Sequence, residues 1–283
     1  MAFGDGPHDV KEGLAQQAQH DGDSRHLASW GRLGSVTPRG HAEGMPDQRS
    51  YQDKRPIPEG SPAAVHAKEL AKGRKHLDVL RWHHVGLSKR FLAASDGDIY
   101  EIDLVCLGIM VRSYGLVDGF IDAFDAWNPI VAAPLLRMQL DNLVRVSYMV
   151  GAPSATDVAR YLMAGGEFRK LKDSEGKRLT DARLLEHAKP FHPWVEPVYQ
   201  VTSGWVHFSP VHVYAGTRLG RDDDEAPTME MEIPLRPERI PLSALQELIG
   251  AMIQATEELF GYIEVWEQRK GLPLGQVRQL GST

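Results

Sequence analysis

The chain predicts an all-α fold: a helical bundle of five or six main helices with a small β-hairpin insertion and a disordered N-terminal tail. Three observations carry that expectation. Long stretches place apolar residues at three- and four-residue intervals, the mark of a helix with one buried face. Ser-Pro or Asn-Pro pairs open two of these stretches, and Gly or Pro closes them, as helix caps and stops require. Period-two alternation occurs in one region only, about 211–236.

The first sixty residues stand apart. They hold nine Gly, five Pro and four His, with no clustered large apolar residues. Such a segment buries too little apolar surface to offset its ordering entropy, so 1–60 is expected to be a solvated tail. Residues 61–273 form the expected domain, and 274–283 a short C-terminal tail.

Ser61-Pro62 opens a helix expected to reach about Ala94, with Leu70, Leu77, Leu80, Leu87 and Phe91 as its buried stripe. Gly73 and Gly86 weaken it, and Ser95-Asp-Gly-Asp98 ends it. A second helix, about Tyr100–Trp127, is apolar almost all round, which implies a central place in the bundle. Asp118, Asp122 and Asp125 share one of its faces, as either a solvated acidic face or a cation site. Asn128-Pro129 opens a third helix that ends at Gly151-Ala-Pro153, with Pro134 as a potential kink. Ser154 caps a fourth, expected to reach about Leu171. Lys172–Arg178 is a charged loop, and Thr180 caps a short helix through Ala188. A helix from about Glu196 to Phe208 follows three prolines. Between the period-two segments, Gly220–Pro227 reads as a hairpin loop. Pro241–Arg269 is the last long helix, and Gly271 and Pro273 stop it.

Composition argues against some classes of function, while leaving room for a local basic patch. The 283-residue chain carries a formal charge of −6 and a pI near 6.1, opposite to the basic footprint of a general nucleic-acid binder. A single cysteine, Cys106, lies in an apolar run and reads as a core thiol in a reducing compartment. The first residues have no apolar signal core. The longest apolar stretch, Leu104–Val117, is interrupted by Arg112 and falls short of a bilayer span. A cytoplasmic location with no membrane contact is therefore expected.

Two polar motifs sit inside apolar helical runs: Arg137-Met-Gln-Leu-Asp141, and Tyr199-Gln-Val-Thr-Ser203-Gly-Trp-Val-His207. Their polar residues recur every four positions, which stacks them on one helix face. Arg145 extends the first face by one turn. An inward Arg needs a partner, because an unpaired buried charge is costly. Arg112, in the most apolar helix, poses the same demand, and Arg112, Arg137, Asp141 and His207 could form one network. Either the cluster ties helices together, or Arg137, oriented by Asp141, holds an anion through its planar fork.

Other chemistries lack their motifs. Ser203 and His207 on one helix lack the strand–turn–helix elbow of a serine hydrolase. The pairs His187/His192 and His207/His212 have i+5 spacing interrupted by proline, not the zincin spacing, so no metal is expected. His83 and His84 point to different faces of one helix and read as peripheral. No phosphate-cradling Gly-rich loop occurs, and no cofactor is implied.

The run Leu135-Leu-Arg-Met-Gln-Leu-Asp141 through Tyr148, followed by Tyr199-x-x-x-Ser203-x-x-x-His207, resembles a family of uncharacterised bacterial all-helical proteins. That family has Leu-Leu-Arg-x-x-x-Glu and then Tyr-x-x-x-Ser-x-x-x-His, and the resemblance spans about 75–265. This chain has Asp141 where the family has Glu. A more distant resemblance is to HEPN domains, helical bundles that often act as ribonucleases and carry Arg, four to six residues, then His. The nearest match here, Arg183-Leu-Leu-Glu-His187, has three intervening residues.

These readings leave three functions open. The cluster of Arg112, Arg137, Asp141, Tyr199, Ser203 and His207 binds a small anionic ligand or a protein partner. Alternatively, Arg137 and His207 are the catalytic pair of a metal-independent enzyme acting on RNA or a nucleotide. In the third reading the cluster is purely structural, in a bundle that forms a homo-oligomer.

Overall fold

The computed structural model describes residues 62–210, 212, 217–220, 228–231 and 241–270. The expected tails at 1–60 and 274–283 lie outside them. The described residues fall in the unit 57–283 and are all-α in character, with seven α-helices. These are α1 (Pro62–Ala93), α2 (Glu101–Asp125), α3 (Pro129–Gly151), α4 (Ala155–Met163), α5 (Asp181–Ala188), α6 (Val195–Val206) and α7 (Leu242–Arg269). Two four-residue strands, Thr217–Gly220 and Thr228–Met231, pair antiparallel with Thr217 opposite Met231. They fall inside the period-two region; most of the remainder of 211–236 lies outside the described residues.

Helix α3 is the hub, packing on α2, α5, α6 and α7; α1 lies against α7 and α2, and α4 against α2. The core is built from the stripes that the sequence marks. Leu77, Leu87 and Phe91 of α1 meet Phe120 of α2, Leu136, Leu140 and Leu143 of α3, and Met252 and Leu259 of α7, all almost fully buried. Each such side chain contributes about 1.5–3 kcal/mol by leaving water.

Local chemistry accounts for the helix ends. The Asn128 side chain accepts from the Val131 amide, with Pro129 in the first turn. Ser154 and Thr180 cap α4 and α5 in the same way, accepting from Asp157 and Arg183 amides. At α2 the Tyr100 amide donates to Asp103, 2.8 Å away.

Three expectations about elements change. Helix α1 runs unbroken through Gly73 and Gly86; Gly73 faces Ile249 of α7 so closely that an added Cβ would lie 3.2 Å from it. Helix α4 stops at Met163 instead of about Leu171, because Gly165 adopts φ +85° and turns the chain; a short 3-10 turn, Phe168–Lys170, follows. Helix α6 ends at Val206, so His207 is its extended C-cap (φ −103°, ψ 145°) and not a third turn of the stack. Pro134 lies within α3, which continues as one helix.

Helix α2 is long and apolar enough, by length and composition alone, to cross a bilayer. In this fold it is a packed helix with Ile102, Cys106, Met110, Val117, Phe120 and Ile121 in the core. Cys106 is sealed there, and burial pushes its thiol up to about 12, which leaves it unreactive.

Candidate functional site

The apolar stripe of α3 faces α2 and α7, and its flank carries Arg137, Asp141 and Arg145 one turn apart. Asp141 is the organising group. It contacts Arg145 as an ion pair, Arg112 of α2 at 3.6 Å and Arg137 at 3.7 Å. Acid-before-base at i, i+4 is the better helical order, and it is the Asp141–Arg145 pair that is tightest. Base-first Arg137–Asp141 is looser, as that order predicts.

Arg137 reaches across to α6. Its Nε donates to Ser203 Oγ at 3.2 Å, one Nη meets the Tyr199 hydroxyl, and its guanidinium lies over the Tyr199 ring at 3.2 Å from the centroid. Ser203 Oγ donates in turn to the Tyr199 carbonyl at 2.7 Å. The hydroxyl is thus committed to holding Arg137 and the helix backbone, and no base is hydrogen-bonded to it among the described residues. The first turn of α5 supplies a second carboxylate. Asp181 accepts from Arg137 and from Arg145, each at 3.3 Å.

The two motifs therefore do converge, through Arg137, Asp141, Tyr199 and Ser203. His207 joins them as a wall of the same cleft, about 260 Å³ in volume, lined also by Arg137, Asp141, Arg145, Asp181 and Ser203. Its ring is exposed and has no partner among the described residues. Arg112 is not in this cleft; it meets the cluster from the other side, through Asp141.

Three guanidiniums face two carboxylates, which leaves one positive charge. Burial is the main influence on the titration of the arginines, and the neighbouring guanidiniums add to it at two of them. Burial lowers Arg137 to about 10; Asp181 opposes that and the Arg112 charge adds to it. Burial also lowers Arg145, again with Arg112 and Arg137 contributing and Asp181 opposing. Burial alone lowers Arg112. All three remain cations at neutral pH, but in surroundings that would favour another negative charge.

Arg112 also ends a buried polar chain. Its Nη1 donates to Asn142 Oδ1, Asn142 donates to Gln139 at 3.1 Å, and Gln139 donates to Ser113 at 2.7 Å and Thr256 at 3.1 Å. Ser113 Oγ lies 2.8 Å from His84 Nε2, and His84 Nδ1 lies 2.9 Å from the Leu80 carbonyl. A carbonyl only accepts, so Nδ1 carries the proton and Ser113 donates to Nε2. One neutral tautomer satisfies the whole chain. His84 is 2% exposed, which corrects its peripheral assignment, and burial holds it down at about 4.

The remaining candidates are placed as follows. Asp118 pairs with Arg81 and Asp125 with Arg74, each at 2.8 Å, so two of the three aspartates tie α2 to α1. His187 lies 3.5 Å from Asp173, a sealed carboxylate that Arg183 grips at 2.6 Å. His192 sits between Glu258 (2.6 Å) and the Tyr262 hydroxyl (2.7 Å), with Ser147 on the far side of that hydroxyl. The approach to Glu258 lies off the line of an N–H bond, so it is an electrostatic contact more than a hydrogen bond. No group of three or more His, Cys, Asp or Glu suited to a metal occurs among the described residues.

No family model, curated protein or solved structure matches this chain. Its site is therefore read from its own geometry. Sequence reasoning missed Asp181 as a member, and treated Arg145 as an extension of the face when it is in fact the tightest partner of Asp141. Asp181 lies 36 and 44 residues from the arginines it bridges, a separation that leaves no local signal.

Proposed function

We propose that the cleft between α3, α5 and α6 binds a small anion through Arg137 and Arg145, with Asp141 and Asp181 holding the two guanidiniums in place. The observation that carries this reading is an open cleft lined by two half-buried arginines, in a cluster whose third arginine, Arg112, draws on Asp141 from outside the cleft and leaves three cations sharing two carboxylates. A structural cluster gains most by matching its charges and excluding water. Here the charges balance only if Arg112 is left out, and water has access. A carboxylate or phosphate would restore the balance through charge-assisted hydrogen bonds.

The test is thermal unfolding of the full chain with increasing inorganic phosphate or acetate, against chloride at equal ionic strength. A bound anion stabilises the folded state with the logarithm of its concentration, by about 2.7 kcal/mol at a hundredfold excess over Kd, and the melting point rises accordingly. Arg137→Gln should remove most of that rise. An equal rise in the variant would place the anion elsewhere and defeat the reading.

A second reading has one observation in its favour: exposed His207 lines the same cleft as both arginines. In it the anion is the phosphodiester of an RNA or nucleotide, the arginines hold the phosphate, and His207 moves a proton. It predicts cleavage of an RNA substrate that His207→Ala abolishes; cleavage unchanged in that variant rules the reading out.

A further inference from the structure

A second cavity of about 350 Å³ adjoins the guanidinium cluster, between α2, α3 and α4. Arg145 lines both cavities, so the two share a wall. The second one differs in character. Its floor is the α2 face carrying Leu104, Gly108 and Arg112 at four-residue intervals, with Leu162, Met163 and Phe168 opposite. From Leu104 to Arg112 is two turns of helix, about 12 Å. The apolar stretch thus ends at Arg112, with Arg145 beside it.

Arg112 is poised unlike the other two arginines. Only its Nη1 is engaged, by Asn142 and Asp141; Nε and Nη2 have no partner among the described residues. Its side chain is 40% exposed. Two free N–H groups on one edge of a planar fork match the two oxygens of a carboxylate. The Arg145 guanidinium sits 5.7 Å from the Phe168 ring centroid, which brings the charged end and the apolar wall together.

We infer that this cavity takes the body of an amphipathic carboxylate, its alkyl or aryl tail lying along Leu104, Gly108 and Met163 and its head paired with Arg112 and Arg145. Leu104 and Met163 are 46% and 52% exposed, a large apolar surface to leave in water beside unpaired cationic donors. A tail covers that surface, and the head supplies the negative charge that the three arginines lack. The inference rests on reading the cluster as an anion site; it uses the other cavity that Arg145 lines and adds the chemical class of the ligand that would fit there.

Titration calorimetry of the full chain with decanoate below its micelle concentration, with acetate and with decanol separates the two claims. Decanoate should bind about a hundredfold more tightly than acetate, since each buried methylene adds free energy. Decanol should bind far more weakly than decanoate, lacking the charge. Gly108→Leu places bulk in the cavity, at a position where no atom lies within 4 Å of an added Cβ. It should weaken decanoate on the order of tenfold and leave acetate unchanged. Leu104→Glu, at an exposed position, should do the same and serves if Gly108→Leu does not fold. Arg112→Gln keeps a donor for Asn142 and should weaken decanoate by about tenfold.

Decanoate binding no tighter than acetate overturns the inference while leaving the anion site standing. So does decanoate binding that neither cavity variant affects. Equal affinity for decanol and decanoate overturns both the inference and the charge argument beneath it.

Discussion

Two places in this fold hold carboxylates against cations, and they are built to opposite designs. At one end of α7, Lys270 meets Asp103 at 3.1 Å with both side chains fully buried. Lys270 also donates to the Phe91 carbonyl, while Asp103 accepts from the Trp266 indole at 2.7 Å and from the Tyr100 amide. One cation faces one anion, neutral partners occupy further sites on each, and water is excluded. At the α3 flank, three arginines face two aspartates beside an open cleft, and burial lowers each guanidinium. A matched, dry pair ties helices together. An unmatched, wet cluster is left with a field that another molecule can satisfy.

Perturbing the sealed pair gives the largest expected effect. Lys270→Met leaves Asp103 buried beside Trp266 and Tyr100 without its counter-charge. Breaking such a pair on one side costs about 3–5 kcal/mol. The urea midpoint should fall accordingly, and adding Asp103→Asn should recover part of the loss: it removes the unpaired buried charge, but its single amide oxygen keeps only one of the two donors, Tyr100 and Trp266, which bond different oxygens of Asp103. A single variant within about 0.5 kcal/mol of the parent would mean that the pair is not a structural tie.

The polar chain from His84 to Arg112 joins the two designs, sealed at one end and open at the other. His84 is held at about 4 against its ordinary 6.5. The folded protein therefore refuses a proton that the unfolded chain accepts. Stability is full above pH 6.5 and falls as pH drops from 6.5 to about 4, by about 3 kcal/mol from this residue. His84→Gln should remove that share of the acid dependence. If the stabilities of parent and variant fall in parallel across the window, the chain does not hold His84 neutral.

How much of this could be read from the sequence varies with the range of the signal. Helix caps at Asn128, Ser154 and Thr180 are local, and the structure has them where the sequence puts them. The convergence of Arg137 and Asp141 with Tyr199 and Ser203 was legible because four-residue spacing in an apolar run forces polar groups to seek each other. His207 was drawn into the helix by the same spacing, but α6 ends one residue earlier and extends at that position. His84 had a signal that was passed over. Leu77, Leu80, His84, Leu87 and Phe91 follow alternating three- and four-residue steps, which puts His84 in the buried stripe. Asp181 had none, since its role depends on where the loop after α4 delivers α5.

The smallest expected effect on stability is the most discriminating for the open cluster. Arg137→Met removes a guanidinium but strands no carboxylate, because Arg145 still faces Asp141 and Asp181, and Arg112 still faces Asp141. It also relieves the repulsion that helps to lower Arg145. Replacing a half-buried ion by an apolar side chain of similar length is often neutral or stabilising when no partner is left alone. The folded state should therefore change by less than about 1 kcal/mol, while the response to phosphate is lost. A drop as large as that of Lys270→Met would instead make Arg137 a second structural tie. The cleft would then be a by-product of packing, and the difference between the two regions would be one of degree.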